Sequence, residues 1–245
     1  MASSRPAIVF VHGAWHSPLQ YTGLTDPLKD AGYNVVAPAL PSVGGTMPTF
    51  DEDVSVVRKA VQEAIDNKQD VAVVMHSYGG VVGSAAVKGL SKADRGSGNG
   101  VVKMVYICAF ALAENTCLND GVGSKTLWWH ELVNNDTQTR VTNWREPFYN
   151  DISAEEADKQ ASFLKNHAAG PMASKQTYAA WKHIDSAYII CEKDQAIVLP
   201  AQEAMSSQEG NKFKEIIRLD AGHSPFLSKP KETAEAVRKV LGEKL

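Results

Sequence analysis

A serine in a glycine-flanked turn is the first feature of this sequence that could do chemistry. An apolar run from Val71 to Met75 leads to Ser77, and Gly79 and Gly80 follow it. A buried strand that runs into such a serine and then into a helix of small residues is the context of a nucleophile elbow, whose strained turn presents the hydroxyl. We therefore predict that Ser77 is a nucleophile.

One position departs from the usual form of this turn. A glycine normally stands two residues before the nucleophile, and this chain has Met75 there. Glycine lets the crossing helix approach closely, whereas the flexible methionine side chain must turn away from that helix. The alternative interpretation of Ser77 is a serine at an ordinary helix N-terminus.

A serine hydroxyl needs a base to take its proton. Among the seven histidines, His223 is the preferred base because it lies between the last apolar run and the last helical segment. His76 is adjacent to Ser77 but should point in a different direction. The histidines expected to be solvated among charged residues are His130, His167 and His183. The alternative for His223 is a turn or capping role.

A third group must orient the base. Asp194 follows the penultimate apolar run, so the chain order is Ser77, Asp194, His223. That order is the one found when a nucleophile elbow precedes its acid and base. Glu192 and Asp220 compete for the role of the acid, but both are expected to be solvated.

Two backbone amides must stabilise the oxyanion of a tetrahedral intermediate. One belongs to the residue after the nucleophile, Tyr78. The other is predicted at Ala14, which follows Gly13 in the loop after the first apolar run. His12 and His16 have the spacing of a metal pair on a helix, but the glycine between them favours a loop, so no metal site is predicted.

These groups require strands that end at one edge of a sheet. Continuous Val- and Ile-rich runs are typical of strands buried on both faces of a parallel sheet. The runs are Ala7 to Val11, Val35 to Ala37, Val71 to Met75, Val101 to Cys108, Tyr188 to Cys191 and Glu215 to Leu219. Amphipathic spacing predicts a helix over Asp51 to Lys68 and another that begins near Pro230. The alternation predicts one doubly wound α/β domain that covers residues 1–245.

The interval from about 113 to 186 interrupts this alternation. It has helical pieces and turns, no Val/Ile run, and four of the five tryptophans. Because it leaves the carboxyl edge of the sheet, where open α/β folds bind ligands, we predict a helical cap. Phe110, Trp128 and Trp129 suggest an apolar pocket for an aromatic or cyclic group, with core packing as the alternative for each.

Composition narrows the class of ligand. The 25 Lys and Arg residues against 28 Asp and Glu residues, without a basic run, argue against nucleic acid and anionic membranes. The three cysteines Cys108, Cys117 and Cys191 are too few for a disulfide framework and favour a reducing, cytoplasmic location. The longest apolar run is too short to span a bilayer. The oligomeric state is left open, a homodimer included.

These residues, in this order, resemble the α/β-hydrolase superfamily, and more narrowly its small methylesterase and hydroxynitrile-lyase branch. The resemblance rests on Val9 to Trp15, Val73 to Gly80, Val105 to Phe110, Tyr188 to Ile197 and Ala221 to Leu227. It implies a mostly parallel six-stranded sheet with flanking helices, a helical cap between the fourth and fifth strands, and no cofactor. It also implies the roles already given for Ser77, Asp194, His223 and the amides of Ala14 and Tyr78.

The same resemblance bears on the reaction. Lyases of the branch carry a lysine after the base histidine, and this chain has Ser224 there, so cyanohydrin cleavage is disfavoured. We expect a serine hydrolase that cleaves a small-molecule carboxylic ester or lactone through an acyl-enzyme. The alternatives are a non-hydrolytic enzyme of the same fold, such as a lyase, cyclase or isomerase, and a ligand-binding receptor with slow turnover.

Overall fold

Strands and helices alternate along the chain. The computed structural model describes residues 5–45, 47–96, 98–122 and 127–245, without the side chains of 121 and 122. Its strands are β1 Ala7–Val11, β2 Val35–Val36, β3 Val71–His76, β4 Val101–Ile107, β5 His130–Val133, β6 Gln138–Val141, β7 His167–Ala168, β8 Ser186–Cys191 and β9 Phe213–Leu219. Its α-helices are α1 Thr22–Asp30, α2 Phe50–Asp66, α3 Gly79–Ala86, α4 Leu118–Val122, α5 Arg145–Tyr149, α6 Ala154–Ala161, α7 Ala169–Ala173, α8 Leu199–Ser206, α9 Pro225–Ser228 and α10 Pro230–Val240. Short 3-10 turns cover Pro18–Tyr21 and Ala180–Lys182.

Six strands form the central sheet, in the order β2-β1-β3-β4-β8-β9, and each neighbouring pair is parallel. The predicted α/β-hydrolase sheet is confirmed, and all six Val/Ile runs fall on its strands. Parallel strands place their carboxyl ends at one edge, which we call the carboxyl edge: the loops that follow β1, β3, β8 and β9. The four loops with predicted site residues therefore meet there.

The central sheet is buried on both faces because alternate side chains of a strand point to opposite sides. On β1, Val9 and Val11 join the cluster that packs under α2 and α3, while Ile8 and Phe10 join the cluster that packs under α1 and α10. The prediction of burial on both faces fails at the edge strands: β9 alternates between half-buried and exposed residues. An edge strand has a neighbour on one side only.

The ends of two helices follow their capping residues. The helix predicted over Asp51 to Lys68 is α2, which Thr49 caps by accepting the Glu52 amide hydrogen bond, while the Glu52 carboxylate accepts from the Thr49 amide at 2.7 Å. The final helix begins at Pro230, as predicted, and it ends at Val240. These two helices cover opposite faces of the sheet.

The predicted cap, residues 113–186, lies between β4 and β8. It contains α4 to α7 and, in addition, a three-stranded antiparallel sheet in the order β5-β6-β7 that the sequence analysis does not predict. A bridge between Val43 and His167 joins this small sheet to the loop after β2. The cap is therefore a mixed layer rather than a purely helical one.

Two features concern the environment of the chain. Cys108, Cys117 and Cys191 are buried free thiols. Within the described ranges, the structure has no helix whose length and hydrophobicity would let it traverse a bilayer.

Candidate active site

Ser77 occupies a strained turn between β3 and α3. Its φ is +53°, in the left-handed region that non-glycine residues rarely adopt, and its side chain is nearly buried. A Cβ at Gly79 would lie 2.3 Å from the Val11 carbonyl oxygen, and one at Gly80 would lie 2.4 Å from the Phe110 carbonyl oxygen. The turn therefore needs both glycines so that β1 and the loop after β4 can approach.

Met75 is accommodated by a glycine elsewhere. Its side chain is fully buried, and a Cβ at Gly83 would lie 2.5 Å from Met75 Sδ and 2.8 Å from its Cγ. The methionine thus occupies the space that a side chain at Gly83 on α3 would need. The departure from the usual turn is compensated at Gly83, three residues after Gly80, so helix and strand still approach closely.

Asp194 and His223 are in direct contact. His223 Nδ1 lies 2.7 Å from Asp194 Oδ2, and both residues are buried. The other carboxylate oxygen, Oδ1, accepts the amide hydrogens of Ala196 at 2.7 Å and Ile197 at 2.8 Å. Because the carboxylate accepts, His223 Nδ1 is the donor, and in the neutral imidazole Nε2 keeps the lone pair that a general base uses.

Ser77 and His223 are neighbours through His76. The Ser77 hydroxyl makes no hydrogen bond to His223 in the described part of the chain, whereas His76 Nε2 donates to the His223 carbonyl oxygen at 2.8 Å. The His76 and His223 rings are 4.6 Å apart. Bonds between a nucleophile and its base are often long before substrate binds, so the missing bond does not exclude Ser77 and His223 as such a pair.

The backbone amides of Ala14 and Tyr78 are the predicted oxyanion donors. Neither one donates to another backbone carbonyl of the described residues, although both residues are buried. The Ala14 carbonyl is taken by His16 Nδ1, which donates to it at 2.8 Å. The Tyr78 hydroxyl donates to Asp53 Oδ2 at 2.8 Å, which fixes the ring while its amide remains available.

An apolar cavity lies between the carboxyl edge and the cap. Its lining residues are Ala14, Trp15, Tyr78, Phe110, Leu118, Asn119, Leu127, Trp129, His130, Met172, Ala196 and Ile197. Ser77 and His223 are not in this lining, and Ala14 and Tyr78 connect the cavity to them. The empty volume of the cavity is about 480 Å³.

Two of the three predicted substrate-binding residues reach the cavity, and one does not. Phe110 and Trp129 line the cavity, and Trp129 packs 5.3 Å from the Trp15 ring. Trp128 is 60% exposed and is not in the lining, so the structure does not bring it to the cavity. The two tryptophans lie in the turn before β5, and of the two only Trp129 is buried.

Two histidines expected to be solvated are buried. Burial lowers the pKa of His167 to about 3 and that of His130 to about 4, so both are neutral at pH 7. His183 is exposed, as expected. Burial likewise lowers the pKa of His12 to about 4 and that of His16 to about 3, and His12 Nε2 accepts the Leu40 amide hydrogen at 3.0 Å. That lone pair is unavailable to a metal.

His76, Cys108 and His223 could present ligand atoms to a metal, because those atoms lie within 4.8 Å of one another. Their hydrogen bonds argue against it. Both His76 nitrogens are bonded, to Tyr21 and to the His223 carbonyl, and the Cys108 thiol donates to the same carbonyl at 3.4 Å. Burial raises the pKa of Cys108 well above its usual value, which opposes a thiolate ligand.

The competing acids lie at the surface. Glu192 pairs with Arg218 at 3.4 Å, and Asp220 pairs with Lys193 at 2.7 Å, with all four side chains exposed to solvent. Within the described residues, neither carboxylate forms a hydrogen bond with His223. Of the three carboxylates, Asp194 is the one that contacts His223.

Several residues that support the site were not predicted. Gln202 on α8 is fully buried and donates from Nε2 to Ile197 O at 2.7 Å and to Asp194 Oδ2 at 3.4 Å. At the end of α5, Asp151 Oδ2 accepts the Gly222 amide at 2.5 Å, directly before His223. Their signal is burial of a polar side chain, which the sequence does not show.

Known proteins resemble the chain over almost its full length. A family model described as the alpha/beta hydrolase family matches residues 8–236. The alpha/beta hydrolase nvfD of Aspergillus novofumigatus is 35% identical over 245 residues, which cover 98% of each chain. Tomato methylketone synthase I, solved with 2-tridecanone, superposes with a TM-score of 0.79 at 15% identity over 97% of this chain and 98% of its own. Polyneuridine aldehyde esterase superposes with a TM-score of 0.78 at 16% identity over 97% and 99%. The two structures share the fold.

Proposed function

Because the chain belongs to the alpha/beta hydrolase family, we propose that it is a serine hydrolase that cleaves a carboxylic ester or lactone through an acyl-enzyme on Ser77. The observation that carries the proposal is the 2.7 Å contact of His223 with Asp194 at the edge where the strained Ser77 turn lies. Such a triad is recognised by geometry and chain order.

The proposed reaction has two halves, formation and hydrolysis of the acyl-enzyme, and each group acts once in each half. Ser77 Oγ attacks the carbonyl carbon, while His223 Nε2 takes the hydroxyl proton and then gives it to the departing alcohol oxygen. Asp194 holds the imidazole in the tautomer with hydrogen on Nδ1 and stabilises the imidazolium. A water then attacks the acyl-enzyme, His223 takes its proton, and the acid leaves as Ser77 recovers its hydrogen.

The charge that develops on the carbonyl oxygen needs donors that do not reorganise. We assign this role to the amides of Ala14 and Tyr78, since neither donates to a backbone carbonyl of the described residues and both residues line the cavity. No metal or cofactor is required by this scheme.

The substrate that suits the cavity is small, neutral and mostly apolar. Phe110 and Trp129 offer aromatic surface, and Met172, Ile197 and Leu127 add aliphatic walls. Such a lining favours an aromatic or cyclic acyl group over a charged one. We further propose a reducing compartment such as the cytoplasm, because three buried free cysteines are compatible with it.

A non-hydrolytic reaction is the second candidate. The cavity walls are mostly apolar, so few side chains there could hold a hydrolytic water beside a bound acyl group. A lyase, cyclase or isomerase would not need the second water-dependent step. Turnover in ¹⁸O-labelled water separates the two: hydrolysis places one ¹⁸O in the acid product, and the rival reactions leave the product unlabelled.

The direct test is Ser77→Ala assayed with a panel of aryl, alkyl and lactone esters. We expect kcat/KM for the best substrate to fall by at least ~10³, since triad members act as a unit. Ser84→Ala is the matched control, because Ser84 is another buried serine, on α3, bonded to the Tyr106 hydroxyl. Retention of most activity in Ser77→Ala would overturn the mechanism, and a preference for short charged esters would overturn the apolar substrate.

A further inference from the structure

Tyr21 is a buried tyrosine that the proposed reaction does not use. It ends the 3-10 turn Pro18–Tyr21, has no exposed surface, and packs its ring 4.2 Å from the ring of Phe226 and 4.8 Å from that of Phe10. Two aromatic contacts and full burial hold the ring in place. The position of its hydroxyl group is thereby fixed.

The Tyr21 hydroxyl makes two hydrogen bonds. Its oxygen accepts the Gly13 amide hydrogen at 3.0 Å and lies 2.9 Å from His76 Nδ1. His76 Nε2 in turn lies 2.8 Å from the carbonyl oxygen of His223. The three contacts form a continuous chain from Gly13 through Tyr21 and His76 to His223.

The direction of every bond in this chain is determined. A carbonyl oxygen can only accept, so the hydrogen of His76 is on Nε2. Burial lowers the pKa of His76 well below its usual value, so the ring is neutral and Nδ1 has only a lone pair. Tyr21 must therefore donate to Nδ1, and burial raises its pKa well above the usual value, which keeps the hydroxyl protonated.

Each end of this hydrogen-bond chain lies next to a group of the proposed reaction. Gly13 precedes Ala14, whose amide is a proposed oxyanion donor, and His76 precedes Ser77. His223 is the proposed base, so its own carbonyl is the third attachment. The loops after β1, β3 and β9 belong to distant parts of the sequence, and the chain of hydrogen bonds joins all three.

These loops are closely packed at Gly13. A Cβ at Gly13 would lie 3.0 Å from His76 Nδ1, 3.1 Å from Ser77 Cβ and 3.3 Å from the Tyr21 hydroxyl. Because the loops are this closely packed, a small change in the hydrogen bonds at Tyr21 would change the relative positions of Ala14, Ser77 and His223. Misplacement of reacting groups by about 1 Å can cost about 10²-fold in rate.

We propose that Tyr21 and His76 are positioning residues that align the oxyanion loop, the nucleophile turn and the base loop of the hydrolase. This inference rests on the proposed function. It adds to that function a hydrogen-bond chain outside the triad, in which neither residue touches the substrate.

Tyr21→Phe removes one oxygen atom and keeps the ring contacts, so it is the sharpest test. We expect kcat to fall about 10- to 100-fold while KM changes less than about threefold, because alignment acts on the transition state and not on substrate binding. The rate of Ser77 labelling by a fluorophosphonate should fall by a similar factor. Circular dichroism and the thermal midpoint report whether the variant is folded.

Tyr33→Phe is the matched control. Tyr33 is a buried tyrosine outside the three loops, and its hydroxyl donates to Glu243 at 2.7 Å. It should lose stability without a change in kcat. An equal loss of kcat in Tyr33→Phe would show that Tyr21 acts through stability alone and would overturn the proposal.

The double variant separates the chain from two independent contacts. His76→Leu alone should reduce kcat, and adding Tyr21→Phe to it should cost little more, because the chain is already broken. Wild-type kcat in Tyr21→Phe, or a rise in KM at constant kcat, would overturn the positioning role. Those outcomes differ from failure of the proposed function, which is activity retained in Ser77→Ala.

Discussion

The carboxyl edge and the cap treat their buried polar groups differently. At the edge, the side-chain oxygens and nitrogens of Asp194, His76 and Gln202 are matched by donors and acceptors. In the cap, four buried polar atoms of the described residues lack a partner: His130 Nδ1, Asp151 Oδ1, Gln160 Oε1 and His167 Nε2. Outside the cap, the unmatched buried atoms of the described residues are the hydroxyls of Ser42, Ser224 and Ser228, and Ser224 lies at the edge beside His223.

This difference matches a division of labour. A fully matched network fixes the atoms that must transfer a proton, and it has one arrangement. An unmatched buried group is costly unless a ligand or water satisfies it, so the cap retains capacity for hydrogen bonds that the chain itself does not use. We therefore expect substitutions at the edge to change the reaction rate and substitutions in the cap to change the choice of substrate.

The largest effect expected at the edge comes from Asp194→Asn. The amide cannot hold His223 with hydrogen on Nδ1 as a carboxylate does, so we expect kcat to fall about 10³- to 10⁴-fold with the fold intact. Steady-state assays at saturating ester measure this loss. Asp220→Asn is the control at the exposed competitor, and an equal loss there would move the acid away from Asp194.

In the cap, Trp129→Ala should act on substrate choice instead of on the reaction. Removal of this wall of the cavity should lower kcat/KM for bulky aryl esters about 10- to 100-fold and leave short alkyl esters nearly unchanged. Trp128→Ala, at the exposed neighbour, should leave both substrates unchanged. A uniform loss across all esters in Trp129→Ala would break the division between the two regions.

The packing of the nucleophile turn can be tested without assays. Gly83→Ala should destabilise the protein by about 1–3 kcal/mol, because the new methyl group overlaps Met75. The double variant Met75→Ala with Gly83→Ala should be more stable than the sum of the single changes predicts, which chemical denaturation measures. Additive changes would show that Met75 does not compensate for the missing glycine.

Stability should depend on pH through buried histidines in both regions. The pKa values of His12 and His130 are lowered to about 4 and those of His16 and His167 to about 3. The unfolded chain binds these protons near pH 6.5 and the folded chain does not, so stability is complete above that pH and falls towards pH 3 to 4.

Replacing one histidine measures its contribution to the pH dependence of stability. His167→Gln should reduce the slope of unfolding free energy between pH 6 and 4 by up to about 1.4 kcal/mol per pH unit. His183→Gln, at an exposed position, is the control for the substitution. A slope that is unchanged in His167→Gln would mean that this histidine is not buried neutral.

The central sheet and its loops could be predicted because their signal is local. Continuous Val and Ile runs mark the strands, and the residue that follows each run must lie at the carboxyl edge. This reasoning gave the sheet, and it placed Asp194 and His223 in loops that meet. Their contact follows from topology more than from any side-chain preference.

The cap could not be predicted in the same way. β5 and β6 are four-residue strands with polar members such as Glu131 and Arg140, and β7 has two residues, so no period is visible. Burial of His130 and His167 depends on that small sheet and therefore was missed. Tyr21 is 55 residues from His76 in sequence, and no spacing relates the two.

The most direct test of the account is covalent labelling with a fluorophosphonate followed by peptide mass spectrometry. We predict one phosphonate per chain, attached to Ser77, with no labelling of Ser77→Ala and much slower labelling of Asp194→Asn. Attachment at another residue, or full ester turnover by a protein whose Ser77 stays unlabelled, would contradict the proposed nucleophile.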